Sequence, residues 1–123
     1  MSGVLPWLGV GALGALGALG RFTVDAAVSA RRPSDFPFGT LAVNLSGGFA
    51  LGALVGGGVA GDALLVLGTG LLGGYTTFST WMVEAQRLGE DGEWRLMWLN
   101  LAGPMLAGLA ATGVGWIVAA AVT

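Results

Sequence analysis

The chain has 123 residues, of which 54% are hydrophobic and only 10% are charged, and its mean hydropathy is +0.80. A soluble domain carries about a quarter charged residues, so this composition predicts a single integral membrane domain. Cysteine and histidine are absent, which excludes disulfides, thiolate metal sites and histidine-based acid–base catalysis. With a net charge of −2 as well, we expect neither an enzyme nor a nucleic-acid-binding protein.

The first predicted span covers residues 6–30 and is rich in glycine. Gly11, Gly14, Gly17 and Gly20 recur every three residues. On an α-helix this spacing forms a winding groove that suits close packing against another helix. No basic segment precedes the span, so we expect this helix to be retained rather than cleaved as a signal peptide.

Arg21 follows the glycine run at a depth that leaves two interpretations open. It lies about 21 Å along the helix, within about 10 Å of the far edge of a hydrocarbon core of about 30 Å. Its side chain could extend to the interface and pair with Asp25, four residues on. It could instead face a vestibule that attracts anions.

The second predicted span covers residues 38–59 and carries a polar and glycine-rich stripe at i,i+4 spacing. The stripe consists of Thr40, Asn44, Gly48, Gly52 and Gly56. Its glycine part predicts a helix-packing face. A carboxamide about 8 Å into the span is costly without a partner, so Asn44 must meet another helix, water or an ion. This requirement favours a functional role for Asn44.

The third predicted span, residues 63–87, contains the stretch that the chain is organised around. Gly73 and Gly74 are followed by a cluster of hydroxyl and phenol side chains between Tyr75 and Thr80. Glycine and threonine both weaken helices, so we expect a break within residues 73–77. Broken backbone at membrane depth is tolerated where it is buried in protein or lines a polar cavity, which predicts an ion or substrate site here.

Aromatic and polar side chains follow the predicted break. Phe78 and Trp81 share one helix face, and such pairs commonly serve core packing. Glu84, further along, could simply pair with Arg87.

The last predicted span covers residues 94–122 and contains Pro104, which should kink it. The predicted fold is therefore an all-α membrane protein of four transmembrane helices with a break in the third. Four helices enclose little space, so carbonyls freed at the break would need partners from a second subunit. An oligomer is expected.

Three motifs in order along the chain carry a family resemblance. They read GALGRF at residues 17–22, GTLAVN at residues 39–44 and GGYTTFST at residues 73–80, followed by Glu84. Together they resemble the Fluc, or CrcB, family of fluoride channels.

The resemblance implies an antiparallel, dual-topology homodimer in a bacterial plasma membrane, with lipid, fluoride and a second copy of the chain as its partners. Two pores would export fluoride passively down its electrochemical gradient and so confer fluoride resistance. A central structural Na⁺ would be held by the backbone carbonyls of Gly73 and Thr76 from both subunits.

The resemblance also implies an ion pathway along each pore. Asn44 would serve the pore mouth, Phe78 an aromatic box and Arg21 a vestibule. The remaining pathway residues would be Thr40, Ser79, Thr80, Trp81 and Glu84. Two positions depart from the family pattern, since Trp81 stands where phenylalanine is usual and Pro104 where serine is frequent.

Three alternatives remain beside the homodimer. The loops after the first and third spans carry Arg31, Arg32, Arg87 and, near the interface, Arg95. This bias predicts a fixed orientation with these loops in the cytoplasm, as in one subunit of a heterodimeric channel. A small multidrug transporter is disfavoured because residues 5–24 contain no acid, and a non-transporting packing subunit would leave Asn44 unexplained.

Overall fold

The computed structural model describes residues 3–123, and every regular element in that range is helical. This confirms the predicted all-helical class. In chain order the elements are α1 (Leu5–Arg31), α2 (Phe38–Gly56), α3 (Gly61–Leu64), a π-helical segment (Leu65–Leu72), α4 (Gly73–Tyr75), α5 (Ser79–Glu90) and α6 (Trp94–Val122).

Three helices in the described range are long and apolar enough to cross a membrane, namely α1, α2 and α6. They match the first, second and last predicted spans, and they make the chain a multi-pass membrane protein. Helix α6 continues through Pro104 without interruption. The third predicted span is divided into short helices by its break, so no single helix there meets the length for a span. The count of four spans stays a prediction.

The break in the third predicted span is present, but it lies slightly later than the glycines suggest. Gly73 and Gly74 are still helical, whereas Thr76 is extended (φ −80°, ψ 162°) and the helix resumes at Ser79. Packing explains why position 74 is a glycine, because a Cβ there would overlap the carbonyl oxygen of Gly14. The π-helical turn just before the break was not predicted.

Close backbone contacts at glycine hold the helices together. A Cβ at Gly17 would overlap the carbonyl oxygen of Leu71, so the predicted groove on α1 does receive the third segment. Gly11 has no such neighbour. On α2, added Cβ atoms at Gly52 and Gly56 would overlap backbone carbonyls of α6, which confirms the predicted packing face.

Candidate functional site

The Asn44 side chain on α2 binds the non-helical backbone of the break. Its Nδ2 donates to the Thr77 carbonyl at 2.8 Å, and its Oδ1 accepts from the Thr77 amide at 2.9 Å. One carboxamide thus satisfies both polar groups of a residue that lies outside any helix. The partner that Asn44 requires is therefore the non-helical backbone at Thr77, within the third predicted span.

The break diverts hydrogen-bond donors from two carbonyls. In an uninterrupted α-helix the Thr77 amide would donate to the Gly73 carbonyl, but here it donates to Asn44. Likewise, the Thr80 amide would donate to the Thr76 carbonyl, but it donates instead to the Thr77 hydroxyl at 3.2 Å. The break therefore deprives the Gly73 and Thr76 carbonyls of their usual helical donors.

A wide, mainly apolar groove of about 640 Å³ opens on one side of the break. We call it the break groove. Among its lining residues are Asn44, Gly73, Thr76, Thr77, Phe78, Trp81 and Pro104. Phe78 is 69% exposed there, and its ring meets that of Trp81 edge to face, with centroids 5.8 Å apart at 86°. Phe78 is therefore not a core residue of the single chain.

A small polar cavity of about 120 Å³ lies on the other side of the break. We call it the inner cavity; Arg21, Phe22, Asp25, Thr40, Val43, Thr77 and Thr80 line it. The Arg21 Nε is buried without a hydrogen-bond partner in the described chain, and no ion pair joins Arg21 to Asp25 there. The structure thus brings Arg21, Thr40 and Thr80 together from three separate elements.

Thr40 connects the inner cavity to Glu84. The two side chains interact electrostatically, but Thr40 Oγ1 and Glu84 Oε1 are both buried without a hydrogen bond to any described residue. Glu84 also lines a third cavity of about 460 Å³ between the two arginine-bearing loops, the loop cavity, together with Arg32 and Arg87. No ion pair between Glu84 and Arg87 forms in residues 3–123. These two interacting side chains therefore line different cavities, Thr40 the inner cavity and Glu84 the loop cavity.

The predicted pathway residues fall into two groups within one chain. Asn44, Phe78 and Trp81 line the break groove, whereas Arg21, Thr40 and Thr80 line the inner cavity, with Glu84 beyond it. Ser79 is exposed in the first turn of α5. Thr77 lines both spaces, so the backbone of the break forms the partition between them.

Sequence reasoning missed two residues that organise this site. Thr77 supplies a backbone amide, a carbonyl and a hydroxyl to the break. Its position three residues before Thr80 is the spacing of a side-chain cap and could have indicated it. Asn100 is only 1% exposed, and both its carbonyl and its side-chain amide form hydrogen bonds with Trp81. No local sequence pattern predicts this contact.

Comparison with known proteins identifies the family. Residues 8–116 match the family described as CrcB-like protein, Camphor Resistance (CrcB). A fluoride-specific ion channel FluC 2 of Mycolicibacterium paratuberculosis is 45% identical over 115 residues, which cover 94% of each chain. The protein of the same name from Mycobacterium tuberculosis strain H37Rv is 47% identical, over 90% of this chain and 89% of its own. A third, from Moorella thermoacetica, is 39% identical over 94% of this chain and 97% of its own.

These matches span nearly the whole chain, including the break and both of its flanks. The relatives are named as ion channels and not as enzymes. The chain therefore belongs to the CrcB family.

Proposed function

We propose that this protein is a channel that conducts fluoride passively and exports it from the cell. The observation that carries the proposal is the break at Thr76–Phe78, where the Asn44 carboxamide binds the Thr77 backbone beside an exposed Phe78–Trp81 pair. Relatives that share 39–47% identity are named fluoride-specific ion channels. A bacterial plasma membrane and a role in fluoride resistance follow from that assignment.

Neutral groups would provide the selectivity. Fluoride is a small, strongly hydrated anion, and hydroxyl donors such as Thr40 and Thr80 can replace part of its water. The positive edges of the Phe78 and Trp81 rings can face the ion without supplying a fixed charge. The unpaired Nε of Arg21 adds a positive field at the inner cavity. Because the chain lacks histidine, no group of that type is available to couple transport to protons.

The Gly73 and Thr76 carbonyls fit the proposed structural Na⁺ site. Their helical donors are diverted to Asn44 and to the Thr77 hydroxyl, so their oxygens remain available to a cation. Hard cations take oxygen ligands, and unwound membrane helices supply such carbonyls. Two carbonyls from each of two chains would hold the ion, which would neutralise their dipoles and hold the breaks together.

A dimer would complete the site. Phe78 is 69% exposed and the break groove is open in the single chain, so a second subunit placed on this face would cover both. An antiparallel homodimer would then form two pores. A heterodimer with an oppositely oriented relative is the second candidate, because the arginines gather in two loops on one predicted side. The relatives are named both FluC 1 and FluC 2.

Fluoride efflux from reconstituted liposomes tests the proposal. Vesicles loaded with potassium fluoride and treated with valinomycin should release fluoride rapidly, as measured by a fluoride electrode. Vesicles loaded with potassium chloride should release chloride no faster than protein-free vesicles. Equal efflux of the two anions would refute selectivity. A requirement for an added proton gradient would refute passive conduction.

A further inference from the structure

Trp81 and Pro104 meet at one backbone carbonyl. Pro104 lies inside α6 and has no N–H, so the carbonyl of Asn100, four residues earlier, lacks its helical donor. The indole Nε1–H of Trp81 on α5 donates to that carbonyl. The Asn100 Nδ2 donates in return to the Trp81 carbonyl at 3.4 Å. The hydrogen bond that Pro104 removes from α6 is therefore replaced by one from α5.

This contact matters for stability because the Asn100 carbonyl is buried. Asn100 is 1% exposed and Pro104 is also buried, so water has little access to the carbonyl between them. An unpaired buried carbonyl is costly. Phenylalanine in place of Trp81 has no N–H and would leave the Asn100 carbonyl without a hydrogen-bond donor. A residue other than proline at position 104 would supply its own amide and compete with the indole for the same acceptor.

We propose that Pro104 is a positioning residue for the pore. By leaving the Asn100 carbonyl free, it anchors the Trp81 indole and so sets the edge-to-face contact with Phe78, at 5.8 Å and 86°. The Trp81 N–H is consumed by Asn100, so the ring borders the break groove as an aromatic edge rather than as a hydrogen-bond donor. Trp81 and Pro104 form one unit. The consequence for conduction rests on the proposed fluoride channel function.

The test is a double-mutant cycle of Trp81→Phe and Pro104→Ala in the full-length protein. We expect Trp81→Phe alone to lower the thermal unfolding midpoint several-fold more than it does in the Pro104→Ala background, where the restored amide pairs with the carbonyl. Trp98→Phe is the matched control, since Trp98 is 63% exposed on α6. Its effect should be the same in both backgrounds.

A spectroscopic arm reports the indole directly. In protein labelled with ¹⁵N at tryptophan, the Trp81 indole resonance is the one missing from Trp81→Phe. Pro104→Ala should shift that resonance upfield in the proton dimension as its hydrogen bond weakens, while the other indole signals stay in place. Pro104→Ala should also slow fluoride efflux.

Three results would overturn the proposal. They are an equal cost of Trp81→Phe in both backgrounds, failure of both Trp81→Phe proteins to fold, and an unchanged Trp81 indole signal in Pro104→Ala. The stability and spectroscopic arms do not depend on conduction. If the wild type carried no fluoride while the cycle showed coupling, the channel function would fail and the Trp81–Pro104 unit would stand.

Discussion

Replacing Asn44 by alanine should destabilise the backbone of the break and stop conduction. The substitution removes both hydrogen bonds to Thr77, at 2.8 and 2.9 Å. Each leaves a backbone group without its partner, at about 1–3 kcal/mol apiece. The break groove reaches this point and water can solvate part of the loss, so we expect the low end, about 2–4 kcal/mol in total. Against a total stability of about 5–15 kcal/mol this is a large fraction.

The loss should also change the backbone itself. Once released from Asn44, the Thr77 amide can donate to the Gly73 carbonyl and extend the helix. The Gly73 carbonyl, a proposed Na⁺ ligand, would then accept this hydrogen bond and would no longer be available to the ion. Fluoride efflux should therefore fall together with stability.

Unfolding in mixed detergent with increasing SDS, followed by circular dichroism, measures the stability change. Efflux from liposomes is measured on the same preparation. Ser46→Ala is the matched control on α2, because the Ser46 hydroxyl bonds the Tyr75 phenol at 2.9 Å on an exposed surface. It should cost about 0.5–1 kcal/mol or less.

Asn44→Asp refines the test. It keeps an acceptor for the Thr77 amide but turns an oxygen toward the Thr77 carbonyl, so it should be no more stable than the alanine variant. An alanine variant with wild-type unfolding and wild-type efflux would refute the role assigned to Asn44.

Four further predictions address packing, conduction, the cation and orientation. Gly17→Ala should prevent correct folding because its Cβ overlaps a backbone carbonyl, whereas Gly11→Ala, with no neighbour within 4 Å, should express normally; equal yields on size exclusion would contradict this. Phe78→Ile should abolish fluoride efflux while the oligomer stays assembled, and an active variant would exclude an aromatic role in the pore. Replacing Na⁺ by a large organic cation should lower the unfolding midpoint, as for any ion that binds the folded state, and an unchanged midpoint would argue against a structural ion. In a Thr123→Cys protein, labelling of half the molecules from outside intact cells indicates dual topology, whereas uniform labelling indicates a fixed orientation and favours the heterodimer.

Residue types along the chain were enough to predict the class of fold and the break in the third predicted span. Hydropathy over long windows depends only on composition, so the spans of α1, α2 and α6 could be read directly. The break could be predicted because glycine and threonine weaken a helix locally. The need for a partner at Asn44 followed from the cost of a carboxamide in a membrane.

Which residues pair with Asn44 and Trp81 was decided by the tertiary structure, because these contacts join residues far apart in the chain. Asn44 reaches Thr77 across 33 positions, and Trp81 reaches Asn100 across 19. Gly74 looked like part of the break, yet it is helical, and it lacks a side chain where Gly14 of α1 approaches too closely for one. Helix propensity predicted where the backbone would be weak, whereas the packing of α1 and α2 against it decided which peptide groups were released.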